Sequence, residues 1–209
     1  MSTEKELNGN IRGRRSRKEI LDVAVRLMAE KGYAATSVST LCQETGLPKS
    51  AIYHHFQSKS GLLSAVMEHN ANLFFNEMKQ AHMNPPKEGE PLELLNWYLQ
   101  STGTVFLAHT DFLKLHLILV MSAEAPEISE MITKVRYNGR MYMKYMILSS
   151  FNQQAMTMTE MMADKLSYFA IAGFDGIVVE KQANATYSFE SALALLAESL
   201  ALLGKKYAH

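Results

Sequence analysis

The chain holds a single cysteine, Cys42, in 209 residues. No internal disulfide can form, and the thiol fits a reducing compartment. Proline is scarce as well: there are five, and the first is Pro48. Long segments can therefore stay helical, because proline is the strongest local breaker. No run of eighteen apolar residues is present to span a bilayer, and no basic-then-apolar leader opens the chain. The expectation is a cytoplasmic protein with no membrane partner. Signatures of catalysis are also missing: no nucleophile elbow, phosphate loop or metal-protease helix occurs. His54 and His55 are adjacent and point apart on a helix. His109 and His116 share a face with Asp111 nearby, yet lack a third ligand. Cys42, among apolar neighbours, reads as a small core residue. The expectation is no enzyme, no cofactor and no metal.

What is present is an uneven distribution of charge. Lysine plus arginine total 21 and so do aspartate plus glutamate, giving a formal net charge of zero. Residues 1–60 nevertheless carry 10 basic against 6 acidic side chains, a net of +4. Residues 61–209 carry the remaining 11 against 15, a net of −4. A basic head on an acidic body points the head towards an anionic partner, nucleic acid first; a merely solvated basic tail is the alternative.

Helical periodicity dominates and strand alternation is nearly absent, so the predicted fold class is all-α with about nine helices. Ile20, Val23, Ala24, Leu27 and Met28 fall at helical spacing until Gly32 stops the helix. A second helix is predicted from Val38 to Thr45-Gly46. Pro48 opens a third, proline being suited to a first helical turn. Ser58 is placed to cap a fourth that runs to about His82. The stretch from Asn84 to Gly89, with Pro85 and Pro86, is the clearest break. Beyond it, helices are predicted near 91–109, 111–124, 127–152, 158–182 and 188–206, punctuated by Pro126 and by Asn152-Gln153-Gln154. The predicted domains are a flexible basic arm at 1–13, a head at 14–60 and a body at 61–209.

In the head, helices two and three are joined by Glu44-Thr45-Gly46-Leu47, with glycine where a left-handed backbone is needed. That is helix-turn-helix geometry. Leu47, Ile52 and Phe56 face a small core, leaving Lys49, Ser50, Tyr53 and His54 on the outer side. Such a helix suits the major groove, with its N-terminal residues at the base edges. Lys49 and Ser50 lie at that end, where the helix dipole also favours phosphate.

The run Gly32-Tyr33-Ala34-Ala35-Thr36-Ser37-Val38, then Thr45 through Phe56, then Ser58-Lys59 and Leu62-Leu63, closely resembles the TetR family of bacterial transcriptional regulators. The resemblance covers about residues 14–66. It implies that Thr36 and Ser37 cap the second helix or reach phosphate. It implies too that Tyr53 contacts backbone or a thymine methyl, and that Lys59 clamps a phosphate. Lys49, Ser50 and His54 are placed to read bases, the others to position the protein. Arg12, Arg14 and Arg15 form an arm for the backbone or the minor groove. The chain departs from the family pattern at Pro48, where serine is usual, and at Ser50, where glycine is common.

The body matches the family only in length and helix content, and the resemblance implies a ligand-binding and dimerising domain. Residues 111–121 are apolar almost all round and should be buried. Neighbouring helices add Trp97, Tyr98, Phe106, Tyr137, Met141, Tyr142, Tyr145 and Met146. An adaptable apolar cavity, or simply core, is the choice these residues pose. The candidate ligand residues are Trp97, Phe106, His116, Tyr137, Met141 and Tyr142. Leu193, Leu196, Leu200 and Leu203 repeat at spacings of three, four and three, a heptad-like seam. Ala172, Gly173 and Gly176 keep one face of the preceding helix small. The seam forms a homodimer bundle, as the resemblance implies, or packs inside the subunit. The function expected is a ligand-responsive regulator, a repressor released from a palindromic double-stranded DNA operator by a small apolar or amphipathic effector. An activator, or a helical lipid- or drug-binding protein without DNA affinity, is the alternative.

Overall fold

A computed structural model describes residues 2–122, 128–151 and 160–207, with side chains described from residue 13 to residue 206. The described residues form nine helices and no strand. They are α1 (Ser2–Lys31), α2 (Val38–Thr45), α3 (Lys49–Phe56), α4 (Lys59–Ala81) and α5 (Pro91–Ala108), followed by α6 (Thr110–Met121), α7 (Ser129–Phe151), α8 (Glu160–Ala183) and α9 (Phe189–Tyr207). The predicted breaks at Pro126 and at Asn152-Gln153-Gln154 lie outside the described residues.

Two boundaries differ from the sequence reading for physical reasons. The arm expected at 1–13 has a helical backbone from Ser2 onwards, continuous with α1. No proline precedes Pro48, so nothing in the first 47 residues forces that helix to begin later. Pro48 itself stands at the N-cap of α3, with an extended backbone (φ −71°, ψ 155°), and the first helical residue is Lys49.

By its internal packing the chain divides into two compact units. One comprises Met1–Leu73 with His109–Thr133, the other Phe74–Ala108 with Lys134–His209. The division falls inside α4, between Leu73 and Phe74.

In the first unit α1 packs against α2, α3 and α6. Ile20, Leu21, Ala24, Leu27 and Met28 of α1 are buried, as their spacing predicts, together with Leu41, Ile52, Phe56, Leu62 and Leu63. Burying a side chain of this size stabilises by about 1.5–3 kcal/mol. The apolar α6 buries Phe112, Leu113, Leu115, His116 and Leu119, but leaves Met121 exposed. Gly32 follows α1 and Gly46 follows α2, both with positive φ (85° and 68°). Gly46 lets the chain reverse into the turn before α3 at no steric cost.

In the second unit α9 packs against both α5 and α8. Phe106, Phe174 and Phe189 form a buried aromatic cluster with centroids 5.2–6.4 Å apart. Phe189, Leu193, Leu196, Ala197, Leu200 and Ala201 of α9 are buried beside it. No single described helix is long and apolar enough to cross a membrane.

Candidate functional site

The local sequence builds α3 as a two-sided element. Ile52 and Phe56, four residues apart, are buried to 2% and 5% exposure, while Tyr53 between them is 49% exposed. Lys49, Ser50 and His54 are exposed on the same outer side. A helix of eight residues cannot hold this orientation alone. Its neighbours fix it. Thr45 Oγ1 donates to the Leu41 carbonyl (2.7 Å) and accepts from the Leu47 amide (3.3 Å), closing the turn into α3. The Arg26 guanidinium donates to Glu44 at 2.7 Å and ties α1 to α2. At the far end the Arg17 guanidinium lies 5.5 Å over the Phe56 ring, and Ser16 Oγ is 3.3 Å from His55 Nε2. Burial pushes the His55 pKa down, and electrostatic repulsion from His54 and Arg17 adds to the shift.

The start of α3 carries no side-chain cap, since Pro48 has none to offer. Its first-turn amides and positive dipole end point out of the helix beside Lys49 and Ser50. An exposed cation, two hydroxyls and an imidazole thus line one edge of a rigid helix. Those groups can hydrogen-bond phosphate oxygens and base edges.

The other expected DNA residues divide. Ser37 is exposed and caps α2, its Oγ accepting from the Thr40 amide at 3.0 Å. Thr36 is 1% exposed, and its hydroxyl donates to the Gly32 carbonyl at 2.9 Å. That hydroxyl closes the end of α1 and is not presented outward. Lys59 Nζ donates to the Ala34 carbonyl at 2.8 Å and sits 4.6 Å over the Tyr33 ring. It fastens the start of α4 to the loop before α2, keeping further donors on a half-buried ammonium. Arg14 is exposed on α1. Ser58 caps α4 as expected, accepting from the Gly61 amide at 2.9 Å.

In the second unit, Phe75 of α4 and Asn138, Met141, Tyr142 and Tyr145 of α7 line a cleft of about 400 Å³. Phe75 and Tyr142 stack with centroids 5.6 Å apart and planes 9° from parallel. The Tyr142 hydroxyl donates to the Phe75 carbonyl at 3.3 Å, which holds the ring in place. Burial pushes the Tyr142 phenol pKa up, so it stays neutral. Behind these rings lies His82, 6% exposed, its Nε2 3.2 Å from Thr102 Oγ1. Its ring is 6.3 Å from Tyr142, 6.1 Å from Trp97 and 5.1 Å from Tyr98. Burial drives the His82 pKa down, against a weaker pull upward from the Tyr98 backbone, so the ring is neutral at physiological pH.

Of the predicted ligand residues, Met141 and Tyr142 line this cleft. Trp97 stands one ring removed, beside His82. Phe106 belongs to the aromatic core with Phe174 and Phe189. Tyr137 is 54% exposed beside Arg140, and His116 is buried against Phe112 in the first unit. Phe75 and Asn138 were not foreseen. The signal for Asn138 was its register, since 138, 141, 142 and 145 share one helical face. Among the described residues no group of His, Cys, Asp and Glu is arranged to hold a metal ion, and Cys42 is half-buried rather than interior.

The expected dimer seam is corrected by the structure. Leu193, Leu196 and Leu200 are 1%, 6% and 0% exposed inside their own subunit, and Leu203 is half-buried. Gly173 is small because Leu196 of the same chain presses on it, 2.8 Å from where a Cβ would stand. A spacing of three, four and three marks a packed helix face without saying which chain packs it. The outward faces of α8 and α9 carry Ala172 and Gly176 of the expected seam together with Phe169 and Val179 on one, and Leu195 and Leu202 on the other.

Comparison with known proteins follows the same division. Residues 20–66 match the family model described as bacterial regulatory proteins, tetR family. The chain is 30% identical over 141 residues to the HTH-type transcriptional regulator YerO of Bacillus subtilis, covering 66% of this chain and 47% of that one. It spans about half the length of the curated relatives it matches. A TetR-family transcriptional regulator from Agrobacterium tumefaciens superposes with a TM-score of 0.71 at 14% identity, over 94% of this chain and 100% of that one. A transcriptional regulator from Saccharomonospora viridis, solved in complex with choline, gives 0.68 at 21%, over 88% and 94%. At these identities the structural likeness is one of fold.

Proposed function

We propose that this chain, whose residues 20–66 match the tetR family of bacterial regulatory proteins, is a homodimeric repressor released from operator DNA by a small molecule. The observation that carries the reading is the exposed edge of α3, where Lys49, Ser50, Tyr53 and His54 stand above buried Ile52 and Phe56. The net +4 charge of residues 1–60 favours an anionic partner for that edge. Lys49, Ser50 and His54 contact base edges; Tyr53, Ser37, Arg14 and the remaining donors of Lys59 hold phosphates.

Dimerisation uses the outward faces of α8 and α9 rather than the buried leucines. Phe169, Val179, Leu195 and Leu202 supply exposed apolar surface, and Ala172 and Gly176 let a partner helix approach closely. A two-fold axis there sets two α3 helices about 34–36 Å apart, matched to a palindromic site one helical turn between half-sites. The cleft beside Phe75 and Tyr142 receives the effector. The choline complex of the Saccharomonospora viridis regulator supports occupancy of this fold by a small molecule. A ligand that binds one arrangement of the dimer better than another shifts the separation of the heads through α4, which carries Phe75.

Selection of bound fragments from random duplex DNA, followed by competition with scrambled sequence, tests the DNA part. A palindromic consensus bound at least about a thousandfold better than scrambled DNA is expected. Equal binding of both contradicts a specific regulator.

A further inference from the structure

We propose that the cleft between α4 and α7 is a site for soft organic cations, quaternary ammonium groups above all. This deepens the effector-binding reading of the second unit and rests on it. Three of the five lining residues, Phe75, Tyr142 and Tyr145, are aromatic; Asn138 and Met141 complete the wall. The faces of such rings carry negative electrostatic potential and attract cations within about 6 Å. The geometry holds those faces ready. Phe75 and Tyr142 are stacked, and the Tyr142 hydroxyl is tied to the Phe75 carbonyl. Tyr145 stands 6.2 Å from buried Tyr98, edge to face.

The charges around the cleft select among ligands. No lysine or arginine lines it among the described residues, so a bound carboxylate would lose its water without gaining a cationic partner. The nearest cations along α7 are engaged elsewhere. Arg140 donates to Asp164 at 2.7 Å and lies 4.3 Å over Tyr168, and Lys144 is 2.6 Å from Glu160. Behind the rings, neutral His82 sets no opposing charge. Among the described residues no aspartate or glutamate lines the cleft either. A primary ammonium, compact and strongly hydrated, needs acceptors for three N–H groups, and the described lining offers only the Asn138 amide oxygen and two phenol oxygens, with no carboxylate among them. A quaternary ammonium has no N–H to satisfy. Its methyl groups pack on the rings and on the polarisable Met141 thioether while its charge meets the ring faces.

The test titrates full-length protein with phenyltrimethylammonium and with its uncharged counterpart of the same shape, tert-butylbenzene, by calorimetry. The cation is expected to bind at least about tenfold more tightly. Tyr142→Phe keeps the preference, because the ring remains. Tyr142→Leu and Phe75→Leu each lose at least about tenfold for the cation, with circular dichroism confirming that they fold. Tyr145→Leu, at a side chain already 51% exposed, makes the same test should Phe75→Leu fail to fold. No binding of the cation, equal binding of the neutral counterpart, or leucine variants that bind like the parent would overturn the proposal. Operator affinity without ligand is measured on the same samples. If it is intact while the cation fails to bind, this inference falls alone; if it is absent, the regulator reading falls instead.

Discussion

Two helices of this chain, α3 and α9, invite opposite treatment of the same kind of evidence. Each shows apolar residues at helical spacing; α3 was assigned an inner and an outer side from that spacing, and the α9 leucines were given to a partner on the family resemblance. In α3 the assignment holds: Ile52 and Phe56 are inside, Tyr53 and His54 outside. In α9 the leucines assigned to a partner are inside their own subunit, and Leu195 and Leu202 face outward. The difference lies in how many apolar faces each helix has. With one apolar stripe, a helix has one way to bury it. With leucine at 193, 195, 196, 200, 202 and 203, α9 has two apolar faces, and periodicity cannot say which belongs to the subunit and which to a partner.

The largest expected effect separates those two faces. Leu200→Ala removes a fully buried side chain and should cost about 2–5 kcal/mol of subunit stability, read from denaturant midpoints. Leu202→Asp changes a residue that is 72% exposed. It should leave each subunit folded while sedimentation shows a shift to monomer. If Leu202→Asp stays dimeric, the outward face of α9 is not the interface.

Next in size is a change of specificity at the edge of α3. His54→Ala should lose about 1–3 kcal/mol of affinity for the selected site, concentrated at one base position, while thermal stability hardly moves. A loss spread evenly over all sequences would make His54 a backbone contact instead.

A pH titration of stability probes the second unit in the same spirit. The His82 pKa is lowered in the folded state, so between its folded value and the ordinary 6.5 the unfolded chain holds more protons. Stability contributed by neutral His82 is therefore complete above about pH 6.5 and declines as pH falls, by at most about 1.4 kcal/mol per unit. His55 shifts the same way from a less buried position and adds to the slope. His82→Gln should flatten the decline in midpoint between about pH 6.5 and 5. An unchanged slope would remove His82 as its source.

The smallest expected effect concerns Ser37. Ser37→Ala removes the cap of α2 and should cost about 1 kcal/mol of stability. A loss of operator affinity beyond what that destabilisation explains would add a phosphate contact to its capping role.

Much of the first unit was legible because its local signals agree. Gly32 and Gly46 end helices with positive φ, Ser58 caps α4, and Ile52 with Phe56 marks the buried side of α3. Two residues there were read for chemistry that folding uses. Thr36 and Lys59 both bond to backbone carbonyls of the loop between α1 and α2, and sequence spacing carries no record of such a partner. The cleft was half legible. Met141 and Tyr142 were named from type alone, but Phe75 joins them only through tertiary packing of α4 on α7. His116, apolar neighbours notwithstanding, belongs with Phe112 in the first unit.

The central claim is that the outer edge of α3 meets duplex DNA, and the salt dependence of operator binding in Lys49→Ala tests it most directly. Fluorescence anisotropy across a range of salt concentrations gives the slope of log affinity against log salt. If Lys49 neutralises a phosphate, the slope should shrink by about one per subunit in the variant. If it instead reads a base, affinity should fall while the preference for the selected site relaxes. Lys49→Ala protein that keeps the parent's affinity, preference and salt slope would contradict the account.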